Sequence, residues 1–123
     1  MPRTTTDTLK AALAQHLAGE STPALEVVEA AFGTGGVDAF GNLRSAEPTR
    51  TALRSEVHRN DNVTVTRDGT IATALVRING DEAGTVTISE AGIFAAGNKL
   101  LAYATFPPRE IGPGTQLDFR FRI

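Results

Sequence analysis

The chain has 123 residues, a formal net charge of −2 and no cysteine, which fits one domain and excludes a disulfide framework or a thiolate metal site. Its charges are interspersed, so no basic stripe is present to track a phosphate backbone, and no nucleic-acid partner is expected. No apolar run approaches the ~20 residues needed to cross a bilayer, and Met1-Pro2-Arg3-Thr4-Thr5-Thr6 leads into no signal-peptide core, so neither a membrane nor an export signal is expected.

In chain order, Asp7 to Gly19 reads as a short helix. Leu9, Leu13 and Leu17 recur at four-residue spacing, Thr6 or Asp7 can cap its start, and Gly19 suits a left-handed exit. A helix of about three turns is marginal alone, so this one must lie on the sheet or on a neighbouring chain. Residues 1–23 are therefore read as an N-terminal helical arm and residues 24–123 as a β-sandwich domain.

Ala24 to Phe32 reads as the first strand, ended by Gly33-Thr34-Gly35-Gly36. Asp38 to Glu47 is a loop, and Glu47-Pro48-Thr49 can open a second short helix burying Ala52, Leu53 and Val57. Asn62 to Arg67 and Thr70 to Asn79 form a hairpin, with Asp68-Gly69 at the centre of a type I′ turn. The return strand is apolar on both faces near its end and is expected to be central. Gly80 to Gly84 is a loop, and Thr85 to Ser89 is a strand continued by Ile93-Phe94 after a kink at Ala91-Gly92. Ala96 to Lys99 turns the chain into Leu100 to Phe106. In the last strand Leu117, Phe119, Phe121 and Ile123 alternate with Asp118, Arg120 and Arg122. The expected fold is mainly β: an antiparallel β-sandwich with a short N-terminal helix and one further short helix.

Few residues carry chemistry. His16 and His58 stand alone, short of the three or four ligands that zinc requires. The glycines after Phe32 lack the Lys-Ser/Thr pair of a phosphate loop and read as a site of close backbone packing. Glu90 sits in an apolar stretch without a second carboxylate, so it is expected to accept hydrogen bonds from loop amides or to pair with Arg50 or Arg54. Ser21, Ser45, Ser55 and Ser89 lack a nucleophile-elbow context, and Asp38, Asp61 and Asp81 are isolated loop acids. No catalytic, cofactor-binding or metal-binding residue is assigned, and no enzyme is expected. The Arg120–Arg122 pair on the last strand is suited to docking or to protecting an edge.

The order of motifs is itself informative. Phe32-Gly33-Thr34-Gly35 is followed by Pro48-Thr49-Arg50-Thr51-Ala52-Leu53 with Glu56 and Arg59, then by a hairpin and Ile88-Ser89-Glu90-Ala91-Gly92-Ile93-Phe94. Leu100-Leu101-Ala102-Tyr103-Ala104-Thr105-Phe106 and Gly114-Thr115-Gln116-Leu117-Asp118-Phe119 close the series. Residues 24–123 thereby resemble the small tail-fibre-like structural proteins of tailed bacteriophages. The resemblance implies a virion protein of the tail tip, baseplate or fibre attachment, assembled in the host cytoplasm. Its partners would be other tail proteins and further copies of itself. Larger tail-fibre and collar proteins carry a related module before a receptor-binding stalk; no stalk follows Ile123, so a connector or decorating role is expected. The N-terminal helix, the 36–47 loop and the final strand are the expected contact surfaces. A capsid-surface decoration protein is the alternative in the same class. A carbohydrate-binding module is the alternative from another class, weakened by the absence of tryptophan and an aromatic content of 6%.

Overall fold

Apolar strands build two facing β-layers in the computed structural model, which describes residues 2–20 and 25–123. The strands are β1 (Arg3–Thr5), β2 (Val27–Gly33), β3 (Glu56–Asn60), β4 (Val63–Asp68), β5 (Ile71–Asn79), β6 (Val86–Ala95), β7 (Lys99–Ile111) and β8 (Gln116–Arg122). The helices are α1 (Asp7–Leu17) and α2 (Gly80–Ala83). A five-stranded sheet runs β1-β7-β6-β2-β3 and a three-stranded sheet runs β4-β5-β8. Every pairing is antiparallel. The fold is the mainly β, sandwich-like architecture expected, with β5 central in the smaller sheet.

The core lies between the layers. Ala30, Phe32, Ile88, Ala91 and Ile93 of the large sheet meet Ala74, Val76, Ile78 and Phe121 of the small one. Phe119 stacks on Phe106 at 4.8 Å and tilts against Phe32 at 5.9 Å between ring centroids. A second cluster covers the outer face of the large sheet, where Leu53 packs on Ala31, Phe94, Leu100 and Tyr103. That outer face is apolar because the chain between β2 and β3 folds over it.

Several local expectations change. The first strand is described from Val27; Ser21 and Ala24, and with them the junction between arm and sandwich, lie outside the described residues. Residues Arg3–Thr5, not foreseen as a strand, pair with β7 as the edge of the large sheet. Thr6 then caps α1, and its buried hydroxyl donates to the Leu100 carbonyl at 2.6 Å. Residues 47–53 form no helix. Leu53 is buried as expected, but Ala52 and Val57 are exposed, and Val57 belongs to β3. The further short helix is α2, in the segment expected to be a loop, capped by the Asn79 side chain on the Asp81 amide.

The hairpin turn is displaced by one residue. Asp68 pairs with Ile71, so Gly69-Thr70 occupies the centre, and Gly69 has φ 62°. Positive φ at the first central position alone is the II′ pattern rather than I′. β6 is continuous through Ala91-Gly92; its irregularities fall instead between Ile88 and Glu90 and between Ile93 and Phe94. β7 runs past Phe106 through Pro107 and Pro108 to Ile111. The prolines are tolerated because β1 pairs only with residues 102–104, leaving that flank without a strand partner.

Candidate interaction surface

Two irregularities in the β6–β7 pairing organise the surface. Ile88 pairs with Arg109 and Glu90 with Thr105, so Ser89 has no partner in the ladder. A bulge of this kind re-aims side chains that strict alternation would send to opposite faces. Ser89 and Glu90 are both buried, and both reach the same loop. The second irregularity leaves Leu101 unpaired opposite β6, and its carbonyl accepts from the Thr6 amide at 3.0 Å.

Glu90 is fully buried and its carboxylate is saturated. Oε2 accepts from the amides of Gly35 and Ser55, each at 2.8 Å. Oε1 accepts from the Arg54 amide at 2.9 Å and the Tyr103 hydroxyl at 2.6 Å. Three of these four partners are backbone N–H groups that can only donate, so the group serves as an acceptor throughout. Loop amides thus hold Glu90, one of the two expected arrangements. The Arg54 guanidinium instead pairs with Glu47 at 2.7 Å, and Arg50 lies 5.9 Å over the Tyr103 ring. Burial, then the bond to Glu90, raises the Tyr103 phenol above its ordinary pKa.

The glycine run makes this approach possible. The Gly36 amide donates to Ser89 Oγ at 2.9 Å, and a Cβ on Gly36 would overlap the Ser89 carbonyl. A Cβ on Gly35 would run into Arg54 Cβ and Glu90 Oε2. These glycines serve close backbone packing and cradle a side-chain carboxylate of the same chain.

Beyond Gly36 the chain forms a small closed loop. The Arg44 amide bonds the Gly36 carbonyl at 2.9 Å, Val37 bridges Leu43, and the Thr105 hydroxyl donates to the Arg44 carbonyl at 2.7 Å. Inside it, Asp38 Oδ1 accepts from the amides of Phe40 and Asn42, both at 2.9 Å, and Gly41 turns with φ 80°. The bonds from Asn42, partly opposed by burial, and then from Phe40 hold the Asp38 carboxyl below its usual pKa. At the tip, Phe40 is 89% exposed. A large aromatic ring therefore stands in solvent on a loop whose backbone is tied at both its neck and its tip.

The other expected contact surfaces are placed as follows. α1 buries Leu9 and Ala12 against β7 and leaves Leu13 and Leu17 exposed. β8 is an edge strand with Asp118, Arg120 and Arg122 outward; Asp118 is bonded by Arg77 at 2.8 Å, which lowers the Asp118 pKa. Ile123, expected inward, is exposed beside α1. Leu9, Leu13, Leu25, Val27, Val63 and Ile123 help line an apolar groove of about 430 Å³ between α1 and the small sheet. A polar dish of similar volume, about 430 Å³, lies on the small sheet with Asp61, Asn62, Thr64, Arg77, Asn79 and Glu82 on its wall.

His16 is exposed on α1, and His58 is half-buried on β3 with an Nε2 that lacks a hydrogen-bond partner among the described residues. Ser45 is exposed, and Ser55 contributes its amide to Glu90. Asp81 accepts from the Gly114 amide at 3.0 Å. Glu56 and Arg59, two residues of the resemblance, bond each other through both carboxylate oxygens, and the Arg59 guanidinium caps the Phe94 ring at 4.1 Å. Among the described residues, no helix is long and apolar enough to cross a membrane. No protein-family model matches the chain, and no curated protein is similar to it at a significant level.

Proposed function

We propose that the chain is a non-enzymatic structural component of a tailed-phage particle, forming or attaching part of the tail tip, baseplate or fibre through protein–protein contacts. The observation that carries an assembly role is Phe40, 89% exposed on a tied loop. Rigid aromatic side chains bury large area at small entropic cost and are the usual anchors of interfaces. Exposed Leu13 and Leu17 on α1 add apolar surface on a second element. The buried carboxylate is consumed in holding the loop, which fits a framework part. The tail assignment itself rests on the order of motifs over residues 24–123.

A carbohydrate-binding role has one observation in its favour, the polar dish with its carboxylate, amide and hydroxyl lining. No aromatic ring lines that dish among the described residues, so a sugar would find hydrogen bonds there without a stacking platform.

Antibody against the purified protein, applied to intact phage particles encoding it, is the direct test. Label at the tail end is expected. Label on the head makes the protein a capsid decorator, and particles free of the protein refute a virion role.

A further inference from the structure

The chain carries both halves of a contact. One half is the Phe40 loop. The other is the apolar groove between α1 and the small sheet, whose rim includes Glu26 and Val65. They lie at opposite ends of β2: Val27, its first residue, lines the groove, and Gly35-Gly36, just past its last residue, root the loop. Seven extended residues separate these ends by roughly 20 Å, so a copy's own Phe40 is remote from its own groove.

We infer that Phe40 of one copy seats in the groove of the next, joining copies of this chain head to tail. The sizes agree, since a groove of about 430 Å³ exceeds what one phenyl side chain occupies and leaves room for flanking loop residues such as Leu43. The charges agree as well. Glu26 stands at the groove and Arg44 at the base of the loop, and among the described residues neither forms an ion pair within its own chain. The backbone bonds around Asp38 fix the ring's position before contact, which lowers the ordering cost of binding. The partner is thus a second copy, and the contact is heterologous. Such contacts build rings where the rotation closes and filaments where it does not.

The inference deepens the assembly reading and rests on it. One seated aromatic and its surround fall well short of the ~1,600 Å² of a stable standard interface. An isolated pair is therefore weak, with a dissociation constant of about 0.1–1 mM, and forms securely only where ring closure or a template raises the local concentration.

Two single variants decide it. Phe40→Ala removes the ring from a site that is already solvent-exposed, and Val65→Arg fills the groove from a residue that is 45% exposed. Each is checked for wild-type circular dichroism and melting, with Val65→Lys in reserve should the arginine variant not fold. Sedimentation equilibrium up to about 1 mM should show reversible association of the wild type and a loss of at least about 30-fold in either variant, as for truncation of a seated hot spot. Mixing the two variants should give a one-to-one dimer that grows no further, because only one knob and one groove remain. A wild type that stays monomeric at that concentration overturns the inference. So does association that depends on Phe40 but not on the groove, which would mean a two-fold contact through the loops. Either result leaves the particle-labelling test standing, so failure of this contact is distinguishable from failure of the assembly role.

Discussion

Replacing Glu90 by Gln keeps the shape of the side chain and changes one oxygen into a donor. In the less costly orientation the new amide nitrogen faces Tyr103, whose hydroxyl can rotate to accept. The Arg54 amide then loses its acceptor, a cost of about 1–3 kcal/mol for a buried donor. The bonds from Gly35 and Ser55 persist but are no longer charge-assisted, which forfeits about 1 kcal/mol each. Relief from burying a charge offsets part of this. The net destabilisation is about 2–4 kcal/mol. Urea unfolding should show the midpoint falling with an unchanged slope. For a chain of this size about 3–5 °C of melting temperature goes with each kcal/mol, so the drop should be about 6–20 °C. The flipped amide would leave two backbone donors facing an NH₂ group and cost more. A Glu90→Gln protein that melts within about 2 °C of the wild type would refute the clamp as a source of stability.

Three further outcomes are expected. Because folding raises the Tyr103 pKa above its unfolded value, near 10, the neutral phenol's stabilisation is complete below about pH 10 and fades as pH climbs toward the folded value. Tyr103→Phe should flatten that alkaline loss in a pH series of urea titrations; an unaltered slope would count against it. Gly36→Ala should cost at least about 2 kcal/mol, since the new methyl meets the backbone carbonyl of Ser89, which cannot swing aside. Calorimetry within about 0.5 kcal/mol of the wild type would show that the neck of the loop is looser than described. Thr6→Ala should cost about 1–2 kcal/mol and free the first turn of α1 to fast hydrogen exchange, because one hydroxyl caps the helix and bonds the Leu100 carbonyl. Retained protection of the Leu9 amide would contradict that role.

The sandwich was legible because apolar alternation survives in β5 and β8, where one face meets the core and the other meets water. The capping of α1 was legible for a similar reason, since Thr6 precedes the first turn directly. The segment after Pro48 was not. Its composition permits a helix, but the amides of Arg54 and Ser55 go to Glu90, and helical pairing would have engaged those donors elsewhere. A buried carboxylate outweighed local propensity there. Part of the clamp could be read, in that a lone Glu within an apolar run needs donors. The participation of Ser89 could not, because period-two reasoning sends neighbours to opposite faces. A cue lay on the neighbouring strand, where Pro107-Pro108 belong to the stretch of β7 that faces Ser89 between the Ile88–Arg109 and Glu90–Thr105 pairs. The Phe40 loop was expected to make contacts, but its fixed geometry depends on Thr105, sixty-one positions beyond Arg44, and no local pattern encodes that bond.

The hydroxyl of Thr6 is answered by a carbonyl ninety-four residues further along, and the strand beside it by residues 102–104. Neither β1 nor the Thr6 cap can complete its bonds until β7 has emerged from the ribosome, so the chain holds these opening residues in reserve through most of translation. Closing so long a loop is slow compared with forming the β4–β5 hairpin. Newly made copies therefore lack a finished α1 shelf until synthesis is nearly complete.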